Sequence, residues 1–228
     1  VSEARPSLLQ VDLHLHTWDS WDCLSDPEAV LERARSQGLH RIAITDHNRL
    51  EVALEMARAH PDRVIPGEEV KTAEGIDVIG LYLSEAIPRG TSAHETCRRI
   101  REQGGIVYLP HPFAAGKGGS GRFARELAPR VHVVEVFNAR LRSRKANRKA
   151  LELARSHGKL HGAGSDAHTV GEVGNVRLRL PWHPNEPEAL LEALAEARVE
   201  GRRAPLHVFA ASNWAKLRRR LPFGRPRP

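Results

Sequence analysis

The stretch Leu8-Leu9-Gln10-Val11-Asp12-Leu13-His14-Leu15-His16-Thr17 alternates apolar and polar residues and then stops on a pair of imidazoles. Alternation with a period of two reads as a strand over 8–15 and puts Asp12, His14 and His16 on one face. An isolated His-x-His is most often two satisfied surface histidines. This pair ends an apolar strand, where barrels and open parallel sheets present their chemistry.

The same arrangement recurs down the chain. Ile42-Ala43-Ile44-Thr45 runs into Asp46-His47-Asn48, and Val64-Ile65 leads to Pro66-Gly67-Glu68-Glu69. Ile106–Leu109 is followed by Pro110-His111-Pro112, and Leu160–Gly164 by Ser165-Asp166-Ala167-His168. Five strand ends therefore carry His, Asp or Glu. Burying such groups unpaired costs several kcal/mol, so each needs a partner or a metal.

Helices fill the gaps between these strands. Asp26-Pro27-Glu28 starts one that runs to about Gln37, with Ser25 as cap, Glu28 placed for a capping box and Gly38 as the stop. Further helices are predicted over 50–59, 91–103, 143–157, 184–199 and 213–221. Val70 and the run 76–83 flank a turn at Glu74-Gly75 that suits a hairpin. The glycine-rich stretch 115–121 around Lys117 reads as a mobile loop, and 131–137 and 175–180 as strands. Strand–helix alternation predicts an α/β fold with a mostly parallel sheet or barrel. We expect one domain over 1–210, with 211–228 a basic helix and tail rather than a second domain.

The 228 residues carry 35 Lys and Arg against 28 Asp and Glu, a net charge of +7. Segments 140–159 and 198–228 hold balances of +7 and +8, so the rest of the chain is net −8. An acidic body can hold cations while basic patches receive anions; equally, arginine-rich helices can simply face solvent. With only Cys23 and Cys97 no disulfide scaffold is possible, which points to a reducing, cytoplasmic setting. No secretory signal pattern and no membrane-spanning run is found.

Imidazoles and carboxylates without a cysteine cluster suit zinc, manganese or iron, and disfavour an iron–sulfur centre or a calcium cage. The ligand groups exceed the four that one tetrahedral zinc requires, so more than one divalent ion follows, bridged by a carboxylate. Such centres suit phosphate-ester hydrolysis.

The motifs DLHLHT (12–17), ITDHN (44–48), PGEEV (66–70), HP (111–112), VEVFNAR (134–140) and GSDAH (164–168), in that order, resemble the PHP family, the polymerase and histidinol phosphatase domain superfamily. That resemblance implies a distorted (β/α)7 barrel, related to the TIM barrel, with two or three metals at the strand ends. It implies that His14 and His16 bind a first metal with Glu69 and Asp166, that Glu69 bridges to a second held by His111, and that Asp22, His47 and His168 hold a third. Asp22 is preferred to Asp19, and Glu69 to Glu68, by position in the family pattern. Asp46 would orient a ligand or cap backbone amides.

Two departures from the family pattern stand out. Asp77 occupies a position where many relatives have histidine, and VEVFNAR lacks a further histidine of the second metal, for which Glu135, Asn138 or water substitutes. His132 reads as a surface histidine; His40, His60, His94, His157, His161, His183 and His207 lack motif context and read as structural or exposed. Only eighteen residues separate Pro112 from Val131, so an inserted lobe is missing and the mouth should be open.

The expected function is a metal-dependent phosphoric ester hydrolase in which a metal-activated hydroxide attacks phosphorus. Arg140 and then Lys117 are the cations expected to meet the phosphate, and Asp166 and His168 can also assist proton transfer. Small phosphomonoesters or nucleotides are the expected substrates. One alternative is a nuclease using basic tracks at 140–159 and 214–220, with Trp214 stacking beside Lys216; the other is a non-catalytic, metal-stabilised binding module. Trp18 and Trp21 either wall the pocket or pack beneath it.

Overall fold

A computed structural model describes residues 6–115 and 118–218. Nine strands form one sheet: β1 (Leu8–Leu15), β2 (Arg41–His47), β3 (Val64–Lys71), β4 (Asp77–Leu81), β5 (Ile106–Leu109), β6 (Val133–Asn138), β7 (Leu160–Gly164), β8 (Val176–Pro181) and β9 (Arg198–Gly201). Their order is β7-β6-β5-β4-β3-β2-β1-β8-β9. The helices are α1 (Pro27–Ser36), α2 (Glu51–Ala59), α3 (Ala93–Glu102), α4 (Ala124–Leu127), α5 (Arg144–Ser156), α6 (Pro187–Leu194) and α7 (Val208–Arg218).

The first seven strands curl into a barrel that closes between β1 and the segment after β7. His16 N donates to Ala167 O (2.9 Å), and Asp166 N to His14 O (2.7 Å). Only the second half of β1 takes part in that seam. Its first half, Leu8 to Val11, pairs instead with β8, which carries the β8–β9 hairpin away from the barrel. The result is the distorted α/β barrel that the motifs imply, with helices on its outside.

Pairing is mixed rather than mostly parallel: four neighbouring pairs among the described residues are parallel and four antiparallel. The short turn after β3 is the cause, because a tight hairpin forces β4 to run backwards. This reversal matters for the site. It puts the first residue of β4, Asp77, on the same rim as the last residues of β2 and β3.

A register shift decides where the first histidine points. Leu9, Val11 and Leu13 join the apolar cluster that includes Ala43, Ile65, Tyr108 and Val133, whereas Leu15 joins the cluster packed against α1, α2, α3 and α5. The β1–β2 pairing slips between Asp12 and Leu15, a bulge-type irregularity that changes which side chains face inward. His14 thereby turns to the barrel interior beside Glu69 and Glu135.

Several local expectations need correction. Asp26, not Ser25, caps α1: Pro27 occupies the first turn, and the Asp26 carboxylate accepts from Ala29 N (3.0 Å). Ser25 Oγ donates instead to His168 O (3.3 Å), and Glu28 pairs with His60 rather than forming a capping box. The helix predicted over 184–199 ends at Leu194, and residues 198–201 form β9 as the partner of β8. Residues 121–130, between the glycine-rich stretch and the strand at 133–138, are short helical turns. His132 is half-buried and its Nδ1 accepts from Val107 N (3.0 Å), so it is not a free surface histidine. The last helix starts at Val208, and 219–221 of the predicted span lie outside the described residues. No helix among the described residues is long and apolar enough to cross a membrane.

Candidate metal centre

All eight predicted ligands meet at one end of the barrel. The inner group is His14 and His16 from β1 and its end, Glu69 from β3, and Asp166 just after β7. His14 Nε2 lies 3.2 Å from His16 Nε2, 3.4 Å from Glu69 Oε2 and 3.8 Å from Asp166 Oδ1. His16 Nε2 lies 3.4 Å from Glu69 Oε2 and 3.3 Å from Asp166 Oδ1. Ligand bonds of about 2.0–2.1 Å in a tetrahedral set leave neighbouring ligand atoms roughly 3.3 Å apart. The observed separations fit that spacing.

The donor set also fits by its hydrogen bonds. Carboxylates only accept, so His14 Nδ1–H donates to Glu135 Oε1 (3.0 Å), and this leaves the Nε2 lone pair facing inward. Ser20 Oγ donates to Asp46 Oδ1 (2.7 Å) and lies 3.1 Å from His16 Nδ1, which therefore carries the hydrogen. Two imidazole lone pairs then face each other at 3.2 Å. That contact is repulsive unless a proton or a metal ion lies between them.

Glu69 is shared. Its Oε1 meets His111 Nε2 (2.9 Å) while its Oε2, which makes no hydrogen bond, faces His14, His16 and His47. The outer group is Asp22, His47 and His168: Asp22 Oδ1 lies 3.2 Å from His168 Nε2 and 3.7 Å from His47 Nε2. His16 adjoins this group as well, its ring 4.5 Å from that of His47 and 4.3 Å from that of His168. Three ligand triads result among the described residues: His14–Glu69–His111, His14–His16–Asp166 and His16–His47–His168.

The electrostatics follow from this crowding. Burial opposes charge on His14, yet the Glu135, Glu69 and Asp166 carboxylates raise its pKa well above the ordinary value. His47, buried beside Glu69 and Asp22, is raised to about 9. His16 goes the other way, to about 3, through burial and the nearby His168 and His47. Glu69 and Asp166 are held well below the usual carboxylate range: burial would raise them, but the surrounding imidazoles prevail.

The backbone is bent to serve the site. His111, Asp166 and Asn48 all have positive φ (26°, 52° and 54°), a sparsely populated region for residues with side chains. Gly164 has no room for a Cβ, which would lie 2.3 Å from the His14 Cβ and 2.7 Å from Glu135 Oε1.

The other predicted residues are placed as follows. Glu135 is fully buried, and its carboxylate accepts from His14, Tyr108 OH (3.1 Å), His111 N (2.7 Å) and Asn138 Nδ2 (2.9 Å). It braces ligands, and Asn138 Nδ2 also reaches Asp166 Oδ2 (3.3 Å). Asp46 accepts from Thr17 N and reaches His16 through Ser20. Asp77 pairs with Lys71 (2.5 Å), and burial beside Glu69 raises its pKa. Arg140 lies at the cavity wall, with Nε 3.2 Å from Glu172 Oε1 and NH2 donating to Ser212 Oγ (2.9 Å). Breaking one side of such a buried pair typically costs about 3–5 kcal/mol. Lys117 lies outside the described residues.

Sequence reasoning missed several contributors. The cavity over the centre, about 690 Å³, is lined by Asp22, His47, His111, Asp166 and His168, by Trp21 in one of its two expected roles, and by Lys71, Arg89 and Lys216, which no motif marked. The mouth is not bare, because α7 forms part of its wall through Lys216, with Ser212 tying the helix to Arg140. Glu172 accepts from His168 N and Thr169 Oγ, fixing the turn after β7. Trp21 is half-exposed on the rim, 6.2 Å from the His47 ring.

Comparison with known proteins agrees with this construction. A family model described as PHP domain matches residues 12–109, and one described as PHP-associated matches 144–199. The uncharacterized protein MJ0417 of Methanocaldococcus jannaschii is 42% identical over 176 residues, covering 75% of this chain and 70% of that protein. Among solved structures, PsfC from Pseudomonas syringae superposes with a TM-score of 0.62 at 16% identity, over 94% of this chain and 99% of that one. The lesion-specific endonuclease PfuEndoQ from Pyrococcus furiosus gives 0.65 at 15% identity, over 84% of this chain and 57% of that one. At these identities the solved structures speak for the fold alone, whereas the spans of the two family models contain seven of the eight ligands, with His111 between them. The chain belongs to the PHP-domain family.

Proposed function

We propose that the protein is a metal-dependent phosphoesterase that hydrolyses small phosphomonoesters or nucleotides. The observation that carries this reading is Glu69, whose two oxygens face different ligand groups beneath a cavity whose wall carries Lys71, Arg89, Arg140 and Lys216. His14, His16, Glu69 and Asp166 would hold one divalent ion, Glu69 and His111 a second, and Asp22, His47 and His168 a third. When bound, such ions supply Lewis acidity toward phosphoryl oxygens and lower the pKa of water.

The remaining steps belong to the chain itself. Glu135 fixes the His14 tautomer, and Ser20 with Asp46 fixes that of His16, so both imidazoles keep their lone pairs inward. His168, whose Nδ1 donates to Asp166 O (2.8 Å), presents Nε2 beside Asp22 at the cavity; with the third ion bound this nitrogen would be a ligand, and only without that ion could it pass a proton to the departing alcohol. The cationic wall neutralises the phosphate as it enters.

A second reading, cleavage of oligonucleotides, is favoured by one feature. Beyond Arg140 and Leu141 the cavity adjoins a groove lined by Phe113, Arg142, Lys145, Lys149 and Phe209, which suits a nucleic-acid backbone and its bases. The test is turnover of p-nitrophenyl phosphate, bis-p-nitrophenyl phosphate and short oligonucleotides by manganese-reconstituted protein, with His14→Ala as the blank. Monoester hydrolysis insensitive to salt supports the first reading. Salt-sensitive oligonucleotide cleavage supports the second. Intact bound metal with no turnover of any of them refutes both and leaves a binding module.

A further inference from the structure

The cations around the cavity differ in what already holds them. Lys71 is paired with Asp77, Arg140 is committed to Glu172 and Ser212, and Arg89 is exposed at the rim. Lys216 is placed differently. Its Nζ lies 3.8 Å from Asp22 Oδ2, beyond hydrogen-bond distance, and 4.6 Å from the centre of the Trp21 ring. The amine is thus held beside a carboxylate of the outer ligand group and directed at the cavity.

The helix that carries Lys216 is fastened for this placement. Val208, Ser212 and Ala215 form the buried stripe of α7. Ser212 accepts from Arg140, and the Arg140 guanidinium also lies over the Phe209 ring at 4.9 Å. Arg140, itself anchored by Glu172, is therefore the post to which α7 is tied.

We infer that Lys216 is a substrate-binding residue that receives the phosphate of the ester, an inference that rests on the phosphoesterase reading. The reason is charge. Once a divalent cation occupies the Asp22–His47–His168 group, the attraction of Asp22 for the ammonium is cancelled and the two cations repel. The ammonium keeps its place over Trp21 only if an anion lies between it and the metal. A phosphate group fits that requirement, and a lysine with three rotatable donors suits an anion whose orientation changes during reaction. Lys216 then exchanges Asp22 for phosphate, so that its contact is made only by the loaded site.

The test uses the manganese-reconstituted 228-residue chain with inorganic phosphate as the probe, measured by calorimetry beside metal analysis and steady-state kinetics. Lys216→Met keeps the stem over Trp21 and removes the charge; Lys216→Arg restores it. We expect Lys216→Met to keep its metal content, to bind phosphate about tenfold more weakly and to raise KM for p-nitrophenyl phosphate by a similar factor, with a smaller change in kcat. Lys216→Arg should recover most of both losses. Unchanged phosphate affinity in Lys216→Met overturns the inference, as does loss of metal in parallel with phosphate without rescue by arginine, which would mark the Asp22 contact as structural. Failure of the wild type to bind phosphate overturns it too. If the wild type hydrolyses no ester while phosphate binding still depends on Lys216, the phosphoesterase reading falls and the anion site stands.

Discussion

The inner and outer ligand groups are built from the same residue types but in different surroundings. Of the inner group, His14, His16 and Glu69 are essentially inaccessible, set on β1 and β3 and braced from the core by Glu135 and Tyr108, while Asp166, 17% exposed, closes the group at the cavity. Asp22, His47 and His168 sit at the strand ends and in the loops beyond them, line the cavity, and keep 9%, 16% and 5% of their side chains exposed. Their support is thinner: Cys23 and Ser25 hold the backbone of His168, and Lys216 lies beside Asp22. The inner group is pre-organised by packing, so it should bind its metal tightly and tolerate little change. The outer group can adjust, and is the side that a substrate meets.

The harshest way to break this comparison is to empty the inner group. His14→Ala removes a ligand that belongs to two of the three triads. We expect loss of inner metal and a fall in turnover of roughly a thousandfold or more, whereas His47→Ala should lose one metal equivalent and retain measurable activity. Metal analysis and p-nitrophenyl phosphate turnover decide it. Equal losses in the two variants would erase the distinction between the groups.

A smaller effect should follow from the brace alone. Glu135→Gln keeps the shape but removes the charge that fixes the His14 tautomer. A loss of roughly 10–100-fold in metal affinity or activity is expected, measured by metal competition with a chelator. No change would mean that β1 alone orients His14.

Much of the inner group was legible in the sequence, because a polar residue that ends an apolar strand leaves a period-two signature. The strand-end positions of His14, His16, His47, His111 and Asp166 show that way, whereas their division into ligand sets and the choice of Asp22 and Glu69 come from the family resemblance. Glu135 was visible only as an acid within the apolar run Val133–Phe137; its role depends on a histidine 121 residues away, which no local pattern encodes. Asp77 reaches the rim because β4 runs antiparallel, and that direction is set by the length of a turn. The β1 register slip is likewise tertiary, since strict alternation would have put Leu13 and His14 on fixed opposite faces throughout. Arg198 and Val199, the first half of β9, read as the end of a helix because the run before them is rich in Ala, Leu and Glu; with one apolar residue, 198–201 becomes a strand only by pairing with β8. The placement of α7 over the cavity rests on single contacts from Ser212 and Lys216, which leave no pattern in a basic helix.

The mildest expected effect is on pH dependence. His47 has a pKa raised from 6.5 to about 9 in the folded chain, so its protonated form stabilises the metal-free protein fully below about pH 6.5, and this contribution of roughly 1–3 kcal/mol is lost as pH rises through 9. A metal ion requires the neutral imidazole, so affinity at the outer group should rise over the same interval with release of a proton. Thermal melts of metal-free protein and manganese titrations from pH 6.5 to 9 should therefore move in opposite directions. In His47→Ala that opposition should shrink; an undiminished trend would assign it to another group.

The sharing of Glu69 between the groups is tested most directly by counting metal ions in purified, reconstituted protein. The wild type should hold at least two equivalents, His168→Ala one fewer, and Glu69→Ala no more than the one that Asp22, His47 and His168 can hold without it, because Oε1 faces His111 and Oε2 faces His14 and His16. A Glu69→Ala protein that retains as many ions as the wild type would contradict the account.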